Sequence, residues 1–150
     1  MVGNGREEDT LRKLVHENNL DEVIIFHGRR PESEIPQYLA NANAALLILK
    51  PDPVFEMTLP AKLQTYMACG VPIIGCVSGE AKRTIDESKA GVVSNNISVE
   101  GLVKACQEIL KKSDQEYELL RQNSLKYGLD NFNKNQLLNQ LFEEIWRLTK

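Results

Sequence analysis

The sequence predicts a parallel α/β sheet with helices on both faces, and three observations carry that prediction. The apolar runs at residues 23–26 (Val-Ile-Ile-Phe), 44–49 (Ala-Ala-Leu-Leu-Ile-Leu) and 72–77 (Pro-Ile-Ile-Gly-Cys-Val) lack period-2 alternation, as expected of strands buried on both faces. Segments of helical periodicity separate these runs, an alternation that leads to parallel pairing through right-handed crossovers. Finally, residues 58–74 read without interruption as a capped helix, a glycine stop and a buried strand.

The elements follow in order. After the opening Gly3-Asn4-Gly5, residues 6–19 place Leu11, Leu14 and Val15 at helical spacing, and residues 23–26 predict a buried strand. Residues 31–40 set Ile35, Tyr38 and Leu39 on one helical face, and residues 44–49 form the next strand. A loop is expected over 50–57. Thr58 is a capping residue type, Pro60 suits the first helical turn, Gly70 ends the helix and Pro72 opens the strand at 72–77. A helix around 80–88 and a short strand at 91–94 continue the alternation. Beyond Asn96 the pattern is helical, first with Leu102, Val103, Cys106, Ile109 and Leu110, then over 115–129. In a last helix Leu137, Leu138, Leu141, Phe142, Ile145, Trp146 and Leu148 form a broad apolar stripe. With no internal repeat or low-complexity linker, the expectation is one Rossmann-like domain over residues 1–150 with additional C-terminal helices.

Composition narrows the function. The 150 residues are 42% hydrophobic and 26% charged, an ordinary globular balance. The net charge of −3, with positive and negative residues interspersed, argues against nucleic acid or an anionic membrane as partner. The absence of an apolar run near 20 residues and of a signal-like N-terminus leads to a cytoplasmic expectation. Three cysteines, Cys69, Cys76 and Cys106, without C-x-x-C spacing fit a reducing compartment rather than a zinc site, and read as small buried hydrophobes.

In an open parallel sheet ligands bind beyond the carboxyl ends of the strands, which directs attention to four loops. Gly5 lies in the first, where a tight turn and a close backbone approach to a ligand are both open readings. In the second, His27-Gly28-Arg29-Arg30-Pro31, either Arg29 or Arg30 can grip a phosphate bidentately, or both pair with Glu32 or Glu34. His27 reads as a structural histidine or a base. Lys50 ends an otherwise apolar strand, so its ammonium emerges at the sheet edge. Lys62 sits in the first turn of the helix after Thr58, where free N–H groups also favour a phosphate. Together Lys50 and Lys62 suit a diphosphate. In the fourth loop, Ser78 and Glu80 open a helix, Ser78 as a natural cap and Glu80 as a dipole partner or a hydroxyl ligand.

The run Thr58-Leu59-Pro60-Ala61-Lys62-Leu63-Gln64-Thr65-Tyr66-Met67-Ala68-Cys69-Gly70-Val71-Pro72-Ile73-Ile74 resembles the C-terminal, nucleotide-sugar-binding half of group 1, family 4-type GT-B glycosyltransferases. Within them it is similar to the bacterial surface-polysaccharide subgroup, N-acetylfucosaminyltransferase-like, with the pattern T-x-P-x-K-x-Q-x-Y-M-A-x-G-x-P-I-I. The resemblance implies a UDP-sugar or other NDP-sugar as donor, a lipid-linked or saccharide acceptor, a retaining outcome in the full enzyme, and no metal or other cofactor. It sets Gly5 and Arg29 near the nucleotide, Lys50, Met57, Thr58, Leu59, Gln64, Thr65 and Glu80 about the donor, and Lys62 with Glu56 in catalytic positions. Where retaining relatives carry a glutamate pair separated by seven residues, this chain has Met57 and Thr65; a threonine hydroxyl replaces only part of a carboxylate's bond to the ribose. Glu56 is the neighbouring candidate for the sugar contact and Gln64 for the ribose, while Tyr66 and Met67 also read as plain core residues. A two-domain GT-B enzyme needs more chain than this, so the expectation is a donor-binding domain lacking its N-terminal acceptor half, inactive alone. The final helix would then lie free to form a homodimer, with membrane contact only through the full-length enzyme. The rival reading is a non-catalytic Rossmann-like nucleotide-binding or interaction module.

Overall fold

The computed structural model describes residues 1–149 and divides into two compact units, Met1–Tyr38 and the segment from Leu39 onward.

In the first unit, helix α1 (Glu8–Glu17) buries Val15 and leaves Leu11 and Leu14 exposed. Arg12 holds Glu8 one turn back at 2.8 Å and lies over the Phe26 ring, 4.4 Å from its centre. The strand expected at 23–26 does not form. The N–H groups of Val23 and Ile24 both turn back to the Leu20 carbonyl, at 3.0 and 2.9 Å, after a left-handed Asn19. Only the following residues extend: His27 N–H donates to the Met1 carbonyl at 2.9 Å, Gly3 N–H donates to the Gly28 carbonyl at 2.8 Å, and the Met1 ammonium donates to the Ile25 carbonyl. Val23 and Ile25 are 74% and 57% exposed, so the apolar run here begins in a turn and leads into a paired extended segment rather than forming a buried strand. A 3-10 turn (Glu32–Glu34) leads into α2 (Ile35–Ala40), within which the division between the units falls.

The second unit holds a parallel sheet of three strands in the order β1 (Ala45–Ile48), β2 (Ile73–Cys76), β3 (Gly91–Val93), with Ala45 opposite Ile73 and Ile73 opposite Gly91. Gly91 permits that last pairing, since a Cβ there would lie 1.9 Å from the Ile73 carbonyl oxygen. The connections are α3 (Pro53–Glu56) with α4 (Ala61–Ala68), and α5 (Gly79–Ser88). On one face Leu47, Ile73 and Val77 pack with Leu63 and Met67 of α4 and Ala81 and Ile85 of α5. On the other, Ile74 and Val92 meet Ala105 and Ile109 of α6 (Val99–Leu110) and Leu120 of α7 (Asp114–Phe132). Helices therefore cover both faces, and β2, the middle strand, is wholly buried. β1 departs from the expected uniform burial: α6 packs on β2 and β3, and Leu46 and Ile48 on that face of β1 are 51% and 54% exposed.

Helix α7 fixes the corner between α4 and β2. Gly70 ends α4 with φ +62°, as its position predicts, against Leu125. The fully buried Ser124 hydroxyl donates to the Val71 carbonyl at 2.9 Å. Gly128 lets the α7 backbone approach so closely that a Cβ would stand 2.8 Å from the Met67 carbonyl carbon. Helix α8 (Lys134–Leu148) has its predicted stripe but buries none of it. Of the cysteines only Cys76 is buried, which corrects the expectation for the other two: Cys69, at the C-cap of α4, and Cys106, at the margin of the second core cluster, are partly exposed, and partial burial raises the Cys69 thiol pKa.

Candidate functional site

The loops leaving β1 and β2 at their carboxyl ends build the candidate site of the second unit. β1 continues through Leu49, whose N–H donates to the Cys76 carbonyl at 3.3 Å, so the last paired residue delivers Lys50 to the sheet edge, exposed. The segment expected as a loop over 50–57 contains the short helix α3. Asp52 caps it by accepting from Val54 N–H at 2.8 Å and Pro53 takes its first position. That Asp-Pro signal was present in the sequence.

Thr58 does not cap α4, which corrects the sequence expectation. Its hydroxyl turns back to the Phe55 carbonyl at 3.4 Å, and Pro60 rather than Thr58 occupies the cap position, without a side-chain bond. The helix begins two residues later than a Thr58 cap requires because α3 draws Thr58 into its own last turn. Leu63 N–H donates to the Pro60 carbonyl at 3.0 Å, leaving the N–H groups of Ala61 and Lys62 without a side-chain acceptor. Lys62 is exposed in that turn, and among the described residues neither Lys50 nor Lys62 forms an ion pair. Uncapped N–H groups with a cation beside them suit an anion.

Along α4, Gln64 is half-buried and Thr65 exposed, its hydroxyl donating to the Ala61 carbonyl at 3.1 Å. The plain reading of the next two residues is the one the structure bears out for Met67, which is fully buried. Tyr66 packs against the same core, donates to the Leu46 carbonyl at 3.4 Å and has its phenol pKa raised by burial. Leu59 is half-buried against that core, whereas Met57 is 76% exposed.

The β2 loop meets α3. Ser78 stands at the cap position of α5, yet its hydroxyl donates to the Glu56 carboxylate at 2.9 Å. Gly79 has φ +62° and a Cβ on it would lie 2.1 Å from the Glu56 carbonyl oxygen, so glycine is required both for conformation and for space. Glu80 is engaged by Arg83, whose guanidinium also holds Glu87 at 2.7 Å; the Arg83 hydrogen bond holds the Glu80 carboxyl below its ordinary range. Sequence reading named Glu56, Ser78 and Glu80 separately but missed the Ser78–Glu56 bond, since nothing local announces a contact across 22 residues.

The first unit carries the other two candidates. Gly5 accepts from Glu8 N–H at 3.1 Å and opens α1; the positive φ values belong to Gly3 and Gly28. Arg29, Arg30, Pro31, Glu32 and Ile35 line an open depression of about 580 Å³. Among the described residues neither arginine forms an ion pair with Glu32 or Glu34. His27 packs tilted against Tyr38, ring centres 5.1 Å apart.

A parallel sheet sandwiched by helices, with cations and uncapped helical N–H groups at its carboxyl edge, defines a domain of the Rossmann-like class. Solved structures agree on the fold. The chain aligns with Anabaena Alr3699/HepE in complex with UDP-glucose at TM-score 0.79 and 18% identity, covering 97% of this chain and 40% of that one. It aligns with a sucrose-phosphate synthase from Thermosynechococcus elongatus at TM-score 0.78 and 22% identity, covering 96% and 35%. The family profile for glycosyl transferases group 1 matches residues 1–127, and the chain belongs to that family. A GDP-mannose-dependent alpha-(1-6)-phosphatidylinositol monomannoside mannosyltransferase of Mycobacterium tuberculosis is 30% identical over 117 residues, 77% of this chain and 30% of the relative. A putative colanic acid biosynthesis glycosyltransferase, WcaL, of Salmonella typhimurium is 24% identical over 143 residues, 94% and 35%. The chain thus spans about a third of the length of the curated relatives it matches.

Proposed function

We propose that this chain is the donor-binding portion of a sugar transferase that uses a nucleoside diphosphate sugar, the nucleoside diphosphate being the leaving group. The observation that carries the reading is the uncapped first turn of α4, with Lys62 in it and Lys50 at the end of β1, neither ion-paired among the described residues. As the sugar departs, negative charge grows on the diphosphate. Two lysines and helical N–H groups already aimed at that charge lower the barrier without reorganising. The reading needs no bound metal. Groups that bind the acceptor lie outside these 150 residues in this reading, and the isolated chain binds donor without transferring it. Surface-polysaccharide synthesis, with a lipid-linked or saccharide acceptor and retention at the anomeric carbon, is the fuller activity we assign to the complete enzyme.

UDP is the first choice of nucleotide, by likeness of fold to Anabaena Alr3699/HepE, solved with UDP-glucose and with UDP and glucose. GDP is the second, favoured by the GDP-mannose-dependent relative at 30% identity. Calorimetric titration with UDP, UDP-GlcNAc, GDP and ADP separates the two. Saturable, base-selective binding is the expected result. Absence of binding by all four overturns the donor reading and favours an interaction module of the same fold.

A further inference from the structure

The Ser78–Glu56 bond joins loops that leave two neighbouring parallel strands. Ser78 is at the cap position of α5, where its side chain would ordinarily accept from its own helix; it donates instead to Glu56 at 2.9 Å. Gly79 brings the backbones of the two loops into contact, as the 2.1 Å distance from a Cβ to the Glu56 carbonyl oxygen shows. Among the described residues no cation lies within ion-pair distance of the Glu56 carboxylate, in contrast to Glu80, which Arg83 occupies. A negative group held here without a cation, on the loop between Lys50 and Lys62, opposes a diphosphate placed against it. Neutral hydroxyl donors are its natural ligands, because an ionised carboxylate only accepts.

We infer that Ser78 is a positioning residue for sugar recognition: its hydroxyl fixes one oxygen of Glu56 so that the carboxylate is ordered in advance to accept from hydroxyl groups of the donor's sugar. The inference rests on the donor-binding reading above and adds to it a division of labour. The lysines and the α4 turn hold the diphosphate, and the Ser78–Glu56 pair senses whether a sugar is attached. A glutamate side chain that is already fixed loses less rotational freedom on binding, and hydrogen bonds to a charged acceptor are stronger than neutral ones. Because Glu56 is exposed, the expected gain is at the low end, about threefold to tenfold in affinity.

The test is calorimetric titration of the chain with UDP, UDP-glucose, GDP and GDP-mannose, on the parent, Ser78→Ala, Ser78→Thr, Glu56→Ala and the Ser78→Ala/Glu56→Ala double variant. The quantity read is the affinity for the nucleotide sugar relative to its nucleoside diphosphate. Ser78→Ala is expected to lower that ratio about threefold to tenfold, Ser78→Thr to restore it, and Ser78→Ala to add nothing once Glu56 is alanine. Amide exchange over residues 52–58 is expected to quicken in Ser78→Ala and not in Ser78→Thr. An unchanged ratio, an equal loss for diphosphate and sugar nucleotide, or an undiminished Ser78→Ala effect without Glu56 overturns the inference. Failure of the parent to bind any of the four overturns the donor reading and the inference with it, a result seen before any variant is made.

Discussion

Replacing Gly79 by alanine places a methyl group in space that Glu56 already fills. The built Cβ lies 2.1 Å from the Glu56 carbonyl oxygen, 2.5 Å from its Cα and 2.6 Å from its carbonyl carbon, whereas ordinary contact begins at 3.4 Å. The obstacle is backbone, so it cannot rotate aside; α3 must shift by at least about 1 Å or Gly79 must abandon φ +62°. Alanine in the left-handed region costs roughly 1–2 kcal/mol, and a broken Ser78–Glu56 bond adds about 0.5–1.5 kcal/mol. The α3 residues are exposed, so the helix swings outward and leaves the core beneath intact. The expected loss is therefore about 2–3 kcal/mol, a shift of about 1 M in a urea midpoint at ordinary slopes. Urea unfolding followed by far-ultraviolet circular dichroism reads it. Gly5→Ala is the control, since nothing lies within 4 Å of its built Cβ and its φ is not positive; its midpoint should stay within about 0.5 kcal/mol of the parent. Equal midpoints for Gly79→Ala and Gly5→Ala would refute the close-approach argument.

Lys50→Ala and Lys62→Ala should each weaken UDP binding about fivefold to tenfold in calorimetry, with the circular dichroism spectrum unchanged because both side chains are exposed. Ser124→Ala leaves the Val71 carbonyl without its 2.9 Å donor at a fully buried position and should cost about 1–3 kcal/mol in the same urea experiment. Glu116 accepts first from the Ser113 N–H at 2.9 Å and then from its hydroxyl at 2.7 Å, which holds its carboxyl below the ordinary range. A lowered folded-state pKa stabilises the fold above the unfolded value of about 4.3 and loses that contribution as pH falls through the folded value. Melting temperature followed from pH 6 downward should accordingly fall less steeply in Glu116→Gln than in the parent.

Most of the second unit was readable because its signals are local. The strands at 44–49, 72–77 and 91–94 appear within a residue or two as β1, β2 and β3, and Gly70 stops α4 where a glycine with positive φ should. What failed depended on distance. Val23 and Ile25 carry the same apolar pattern as Ile73 and Ile74, but burial comes from what packs on a strand, not from the strand itself. Thr58 has the chemistry of a cap; α3, formed a few residues earlier, claims its hydroxyl first. For the site, residue types at the sheet edge identified Lys50 and Lys62, whereas the engagement of Glu80 by Arg83 and of Glu56 by Ser78 is a property of side-chain geometry.

The seat of α7 on the α4–β2 corner has a consequence for how the chain acquires its structure. The family profile ends at residue 127, in the middle of α7 (Asp114–Phe132), yet Gly128 is where this helix lies flush against Met67 and Ala68, and Phe132 packs edge-on to Tyr127 at 5.8 Å. A fragment cut after residue 127 would keep every candidate donor residue and the Ser124 and Leu125 contacts, but lose the close approach at Gly128 and the Phe132–Tyr127 packing. During synthesis the same logic sets an order: the helix bearing Lys62 is made early but is locked only when a segment some sixty residues later arrives, a long loop whose closure must precede its reward. The C-terminal end of α4 is thus fixed only once α7 has been made.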